Sequence, residues 1–466
     1  MNRRRLIIKF VLYDMIASLI VWVLFMLFRR TVNDAQIFEN IRIFIPNYDY
    51  FSSLLIFPFS CAFVHYLSGF YLHPEKITKT TLLLTTLAAS AIISISIFFV
   101  LMLDDIVISY EYYYYSLLVL FGLLFSITTA IRSIIISDIN RLYKQKKWSI
   151  NTIIIGTGKN ALKIAEELES KAEKNNLIGF VSVDQYSSVP KERILGNMSQ
   201  IENIIDTNKI AESIIALDET DEQKLFTYIN ALYRFDIEIR FTPRLYEILT
   251  GSARIGSIGM SPLVSITNLN MPYWQASVKR FVDIVVSSIA LLLLLPSFIY
   301  FAIKIKRDSK GPVFYSQERI GYLGKPFKIL KFRTMYTGAE NGTPKLSSAN
   351  DDRITTIGRT LRKYRIDELP QFWNILKGDM SIVGPRPERK YYINQIIEEA
   401  PYYCLLYKIR PGLTSWGPIK IGYSDTIEKM IERLNYDIIY IENMSLLNDL
   451  KILILTLEII FKGKGV

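Results

Sequence analysis

The sequence predicts a membrane α-helical bundle of four spans, a Rossmann-like α/β module, and a mixed α/β domain with a re-entrant membrane helix. Three observations point there. Apolar runs crowd the first 140 residues, strand-like and helix-like periods alternate from residue 148, and a broken apolar stretch opens a basic C-terminal segment. The boundaries read as 1–140 for the bundle, 148–255 for the module, 256–276 for a linker, and 277–466 for the last domain, with its re-entrant helix at 279–304.

Residues 6–28, 51–71, 80–103 and 112–136 are each apolar and of spanning length. The first run is too long for a signal peptide, lacks a small-residue cleavage site, and is followed by further spans. Asp14 interrupts it, as a functional intramembrane charge or as a carboxylate that finds a partner. Arg3, Arg4, Arg5 and Lys9 precede span one, Lys76 and Lys79 lie between spans two and three, and Arg141, Lys144, Lys146 and Lys147 follow span four. The connection between spans three and four carries Asp104, Asp105 and Glu111 and no basic residue. Positive charge on the inner side then puts both ends of the bundle in the cytoplasm, with Arg29 and Arg30 in conflict.

From Asn151 to Ala161 the chain reads as strand, glycine turn, helix, and further strands are expected at 178–183, 213–217 and 237–241. This alternation implies a parallel sheet. Gly156, Gly158 and Ala161 fit a dinucleotide-binding turn loosely, and Asp184 stands about where a ribose-binding acid sits. The module is therefore either nucleotide-binding or a structural Rossmann-like unit. The linker, rich in Gly, Ser and Pro, carries the chain back to the membrane surface.

Lys279, Arg280 and Asp283 then lead into an apolar stretch with five consecutive leucines, broken at Pro296 and Ser297 and closed by Lys304, Lys306 and Arg307. Basic residues on both sides suit a segment that enters and leaves on one face. The alternative, a kinked spanning helix, would export everything after residue 304. Lys279, Arg280 and Asp283 fall on adjacent helix turns, where an Arg–Asp pair anchors the helix at headgroup depth. Beyond lie two short strands in 311–333 around turns at Gly321 and Gly324. Helices are expected at 353–376, 388–397, 425–437 and 446–462, the last buried or interfacial.

A formal charge of +11 suits phosphorylated substrates, anionic lipid or nucleic acid. Two cysteines, Cys61 and Cys404, give no disulfide framework, and two histidines, His65 and His73, rule out a zinc site or a histidine triad. Chemistry must rest on carboxylates, lysines, arginines and bound metal. Asp367 and Glu368 sit just before Pro370, which opens a helix, amid Arg353, Arg359, Arg362, Arg365 and Arg386. Such a pair can hold a metal-bound phosphate and attack it; a solvated helix start with surface ion pairs is the plainer reading.

Ordered motifs fill residues 277–466. They are Lys279-Arg280…Asp283; Pro312-Val-Phe-Tyr-Ser-Gln-Glu-Arg-Ile-Gly321; Phe327-Lys-Ile-Leu-Lys-Phe-Arg-Thr-Met335; Asp352-Arg353-Ile-Thr…Gly358-Arg359; and Arg362…Asp367-Glu-Leu-Pro-Gln371. Then come Gly378-Asp-Met-Ser-Ile-Val-Gly-Pro-Arg-Pro-Glu388, Arg410-Pro-Gly-Leu-Thr414 and Asn435-Tyr-Asp-Ile-Ile-Tyr-Ile-Glu-Asn443. This segment resembles the bacterial sugar transferases, the monotopic polyprenyl-phosphate glycosyl-1-phosphate transferases, and the whole chain resembles their long-form members, such as the undecaprenyl-phosphate galactose or glucose phosphotransferases.

The resemblance implies a phosphotransferase of the bacterial inner (cytoplasmic) membrane, with its catalytic domain on the cytoplasmic face. It would move a sugar-1-phosphate from a UDP-sugar to polyprenyl phosphate, release UMP, and initiate an exopolysaccharide, capsule or O-antigen. Carried over, Asp367 is the nucleophile that forms a phosphosugar–enzyme intermediate. Glu368, with Asp367, helps hold Mg²⁺, or Mn²⁺ in its place. Arg386, fixed between Pro385 and Pro387 and followed by Glu388, is a phosphate or uridine contact, or else a loop-surface arginine. Lys331 and Arg333 alternate with apolar residues and point one way, toward substrate or toward solvent. Arg353, Arg362 and Arg410 are phosphate candidates of which at least one is a structural ion pair, and Gln317 and Arg319 complete the binding set. Partners are the UDP-sugar, polyprenyl phosphate and membrane lipid, with room for a homodimer and no nucleic acid. Ser415-Trp416-Gly417 departs from the usual follow-on to Pro-Gly-Leu-Thr, so this loop does not name the sugar. Two other classes compete. One is a membrane-bound nucleotide-sensing regulator or scaffold, which predicts a degraded catalytic end. The other is a four-span transporter, which predicts polar residues along several spans.

Overall fold

The computed structural model describes residues 3–32, 48–74, 77–104, 110–171, 174–183, 187–218, 222–243, 261–266, 271–339, 351–422 and 425–461. They form two compact units: residues 1–148 with 272–279, and residues 149–271 with 280–466. Asp184 and most of the linker lie outside the described residues.

In the first unit four helices follow one another: α1 (Arg3–Val32), α2 (Tyr48–Leu67), α3 (Lys79–Asp104) and α4 (Tyr110–Lys144). Among the described residues, Arg3–Arg29, Lys79–Met102 and Tyr113–Lys144 are long and apolar enough to cross a membrane, and Ser52–Leu67 is a shorter apolar helix. Val21, Phe25, Phe57, Cys61, Ile93, Leu120 and Leu124 pack together inside, while Leu12, Ile16, Leu55, Leu84 and Leu118 face outward. Apolar side chains on both faces suit a bundle surrounded by lipid.

One charged contact crosses this interior. Asp14 of α1 receives Nε of Arg132 at 2.9 Å and its NH2 at 2.6 Å, and the Tyr71 hydroxyl donates to it at 2.7 Å. Arg132 also donates to Thr86 at 2.9 Å and lies 3.7 Å from the centre of the Phe70 ring. Asp14 thus has its partner, on a helix more than a hundred positions away; the sequence marks the acid and not the arginine. A buried pair adds little net stability, because desolvation offsets the attraction, but leaving one member alone is costly. Arg132→Leu should therefore destabilise the unit by about 3–5 kcal/mol, and the double change Arg132→Leu with Asp14→Leu should recover most of that. Unfolding titrations in mixed micelles check both; a single variant as stable as the wild type would remove the pair from the account.

In the second unit, β1 (Ile150–Ile155), α5 (Lys159–Lys171), β2 (Asn175–Ser182), β3 (Ile194–Asn197), α6 (Ile201–Asn208), β4 (Glu212–Ile215), α7 (Glu222–Leu232), β5 (Glu238–Phe241) and β6 (Val264–Ser265) build one sheet. Its order is β3-β2-β1-β4-β5-β6, parallel except for β6. The strands expected near 178, 213 and 237 are all present. Ile154, Ala161, Ile164, Phe180 and Ile214 pack α5 onto the sheet. The module meets the last domain through α7: Asn230 donates to the Pro401 carbonyl at 2.8 Å, and Phe226 and Tyr233 set their rings against Tyr402 and Tyr407.

Helix α8 (Tyr273–Leu293) and helix α9 (Leu295–Asp308) meet at a 59° bend. The break falls at Leu294. Pro296 sits in the first turn of α9, where its missing N–H costs nothing, and the Ser297 hydroxyl donates to the Leu294 carbonyl at 2.7 Å. Then come the hairpin β7 (Phe314–Ile320) and β8 (Pro326–Phe332), α10 (Thr356–Lys363), α11 (Gln371–Lys377), β9 (Ser381–Val383), α12 (Lys390–Glu399), β10 (Gly412–Thr414), α13 (Trp416–Ile421), α14 (Ile427–Glu442) and α15 (Leu446–Phe461). Strands β9 and β10 pair in parallel. Ile305, Phe332 and Leu361 form a small core that joins α9, β8 and α10. Helix α15 buries Ile452 and leaves Leu447, Leu450, Ile454 and Leu457 as an outward apolar stripe.

Candidate active site

The single helix expected over 353–376 is broken in two. Thr355 caps α10 by accepting from the Gly358 N–H, and the helix ends at Lys363. Arg365 then takes the left-handed conformation, at φ 54° and ψ 24°. A non-glycine residue there is strained, and such strain concentrates where a chain must be aimed. It turns the chain into a short 3₁₀ turn, Ile366–Glu368, so Asp367 and Glu368 precede α11 rather than opening it.

Both carboxylates are buried, Asp367 8% and Glu368 7% exposed. Glu368 is held by three cations. Lys331 Nζ donates to its Oε1 at 2.8 Å, Arg386 NH2 donates to the same oxygen at 3.0 Å, and Arg365 stands 3.9 Å from Oε2. Burial opposes ionisation of Glu368, but Lys331, Arg386 and Arg365 outweigh it and hold the acid well below the usual carboxylate range. Asp367 goes the other way. Burial pushes it up to about 6, against the pull of Lys331, and the neighbouring Glu368 charge adds to the rise. Among the described residues none donates a hydrogen bond to the Asp367 carboxylate. One acid is pinned and ionised, and the other is unpinned and titrates near neutrality.

Neighbouring elements fix this arrangement. Asn374 of α11 clamps one edge of β8: its Oδ1 accepts from Leu330 N at 3.0 Å and its Nδ2 donates to the Lys328 carbonyl at 2.8 Å. Lys331 is thereby set opposite Glu368. The carbonyl end of α11 is taken by Arg280, which donates to Ile375 and Leu376 at 2.7 and 3.0 Å, and by Arg410, which donates to Gly378 at 2.9 Å. Cations at a helix C-terminus satisfy its orphan carbonyls. Asp283, one turn along α8, accepts from Ser381 Oγ at 2.8 Å and Ile382 N at 3.0 Å. Arg280 and Asp283 therefore anchor α11 and β9 to α8.

The Arg386 loop is held from beneath. Glu388 accepts from Arg319 at 3.1 Å and from Arg433, and Arg319 also binds the Pro387 carbonyl and Gln317. Burial opposes the Glu388 charge, yet Arg433 and Arg319 keep it well below the ordinary range. The Pro385 carbonyl accepts from Gly412 N at 2.9 Å, where a Cβ on Gly412 would lie 2.1 Å from Gly384 N. Asp437 of α14, pushed up to about 6 by burial against the pull of Arg433, accepts from the Gly417 N–H at 3.3 Å.

The other candidates go to different partners. Arg333 caps the end of α9, donating to Ser309 O at 2.7 Å and Lys310 O at 3.0 Å, so it does not share a target with Lys331. Arg353 forms a bidentate pair with Asp351 at 2.8 and 2.6 Å. Arg362 donates to Thr334 at 2.9 Å and is among the cations that lower Asp367. Asn374 and Asp437 escape sequence reasoning; a polar residue at a core position of an otherwise apolar helix turn is the signal that marks both.

A family model described as bacterial sugar transferase matches residues 274–463, and one described as CoA-binding domain matches residues 67–243. The chain is 37% identical over 229 residues to a UDP-N-acetylgalactosamine-undecaprenyl-phosphate N-acetylgalactosaminephosphotransferase of Aeromonas hydrophila, 49% of this chain and 53% of that protein. It is 34% identical over 270 residues to a UDP-glucose:undecaprenyl-phosphate glucose-1-phosphate transferase of Escherichia coli (strain K12), 58% of each. An uncharacterized sugar transferase of Haemophilus influenzae is 31% identical over 341 residues, 68% of this chain and 70% of that protein. The chain thus spans between half and two thirds of the length of the first two of these relatives.

Proposed function

The chain belongs to the bacterial sugar transferase family, and from that premise we propose that it transfers a sugar-1-phosphate from a UDP-sugar to polyprenyl phosphate, releasing UMP. The carrying observation is the asymmetric acid pair, with Glu368 fixed by Lys331, Arg365 and Arg386 and Asp367 left to react. The substrates named for the relatives above supply the chemistry.

Asp367 attacks the phosphorus that carries the sugar. The new bond joins a carboxylate oxygen to that phosphorus, the bond to the UMP oxygen breaks, and UMP leaves with the electron pair. A phosphate oxygen of the lipid then attacks the same phosphorus, and the Asp367 carboxylate departs unchanged. Two displacements spare the enzyme a direct encounter between two phosphate anions. Arg386, and Lys331 beside it, face the charge that develops on the phosphate oxygens. Glu368 keeps both cations in place, which makes it a positioning residue. Bound Mg²⁺ supplies further neutralisation of the diphosphate. Asp367 and Glu368 Oε2 would hold it, because Mg²⁺ is a hard cation that one or two carboxylates suffice to bind. No group of three acidic, histidine or cysteine side chains able to hold a metal gathers among the described residues.

The membrane reading is four spans with both ends cytoplasmic, and a helix pair α8–α9 that enters and leaves on the cytoplasmic face. Its supports are the 59° bend, the exposed Leu292, Leu293 and Leu295 around it, and basic residues at both mouths, Lys279 and Arg280 on one side and Lys304, Lys306 and Arg307 on the other.

Two experiments test these readings. Enzyme mixed with UDP-sugar labelled in the sugar, without lipid phosphate, should retain label, and Asp367→Asn should retain none and lose nearly all turnover. Equal retention in both proteins, or no adduct in either, makes Asp367 a base or a ligand instead. For topology, Lys310→Cys in intact cells should resist a membrane-impermeant thiol reagent and react once the cells are opened. Labelling from outside would replace the re-entrant pair with a kinked span.

A further inference from the structure

A nucleotide is implied for the α/β module by the family model described as CoA-binding, and by the glycine turn at Gly156 and Gly158. In a sheet of this kind the ligand lies beyond the carboxyl ends of the strands, where the strand order reverses. Here that point is between β1 and β4. The diphosphate needs the unpaired N–H groups at the start of the following helix, which in this chain are those of Lys159 and Asn160 at the start of α5.

Both groups are already taken. Asp218, just beyond the end of β4, accepts from Lys159 N on Oδ2 and from Asn160 N on Oδ1, each at 2.8 Å. The Asn160 side chain closes the same corner by donating to the Leu217 carbonyl at 3.1 Å. A carboxylate with one oxygen on each of two successive helix N–H groups makes the contacts a phosphate makes there, with the same sign of charge.

The glycines serve that arrangement as well. A Cβ on Gly158 would stand 2.1 Å from Asp218 Oδ2, so it is the carboxylate that requires the bare backbone. Gly156, at φ +123°, would bring a Cβ within 2.2 Å of the Ala216 carbonyl, so it serves the close approach of two strands. On the other flank Ser188 N donates to the Thr157 carbonyl at 2.7 Å. Both glycines of the fingerprint are thus accounted for by contacts within the chain.

We infer that the Asp218 carboxylate stands in for the phosphate in this turn, so that the module does not take CoA or another nucleoside diphosphate there. The group implied by the family model does not fit the residues present.

The test is hydrogen exchange at residue resolution on the full chain in detergent, with CoA and ADP as probes. Millimolar CoA or ADP should leave the Lys159 and Asn160 amides of the wild type exchanging at the unliganded rate. Asp218→Ala without ligand should speed both amides roughly tenfold or more, since each loses a hydrogen bond to a charged acceptor. Protection of these amides by either probe in the wild type would overturn the inference. So would an Asp218→Ala protein whose amides exchange at the wild-type rate. Binding of a probe that leaves the two amides untouched places its site elsewhere and agrees with a closed turn. The wild-type arm decides the matter even if the variant does not fold.

Discussion

Glu368 is a carboxylate taken out of water, and the residues around the acid pair are arranged to keep it charged. The desolvation cost of such an ion is several kcal/mol. One cation at about 3 Å returns about 5 kcal/mol at the effective dielectric of a partly buried site. Two at 2.8 and 3.0 Å, with a third at 3.9 Å, tip the balance, which is why this acid is held below the usual carboxylate range while its neighbour is raised above it. In the proposed reading the same cations face an incoming diphosphate. In the proposed reading a single buried charge fixes the position of the phosphate-binding groups and adds to the burial that raises Asp367.

The supports of this cluster converge on the bent helix pair. Lys331 is aimed by β8, which Asn374 clamps to α11; α11 is held at its carbonyl end by Arg280, and β9 is held by Asp283. Both anchors belong to α8. Arg333, from the end of β8, caps α9 in return. The elements that carry the acid pair and the elements proposed to dip into the membrane thus share hydrogen bonds. In the proposed reading this sets the reacting groups at a fixed depth relative to a lipid-borne phosphate. The outward apolar stripe of α15 suits the same surface.

Much of this was legible in the chain, and the reasons are physical. The α/β alternation shows because a parallel sheet buried on both faces must be written in runs such as Thr152 to Ile155, with helices between. The acid pair shows because two carboxylates beside five arginines have no use in a core. What could not be read were pairings set by the tertiary fold. Arg132 and Asp14 are 118 positions apart, and periodicity gives no partner. Arginines look alike in sequence: Arg386 faces Glu368, whereas Arg333, Arg353 and Arg410 bind a helix end, an aspartate and a carbonyl. The break at Arg365 was hidden because nothing but backbone geometry marks a left-handed arginine. Gly156 and Gly158 left two readings open, since a turn that receives Asp218 looks in sequence like one that receives a phosphate.

The central claim is that Lys331 and its partners set the ionisation of Asp367, which must be charged to attack. The pH dependence of UMP release by the wild type and by Lys331→Met measures this directly. Burial raises Asp367 to about 6 while Lys331 pulls it down, so the wild-type rate should fall as pH drops through about 6. Removing the lysine removes the pull, so in Lys331→Met the acid limb should move to higher pH, with a lower plateau as Glu368 loses a partner. A Lys331→Met profile whose acid limb stays where it is in the wild type, with only the plateau changed, would contradict the account.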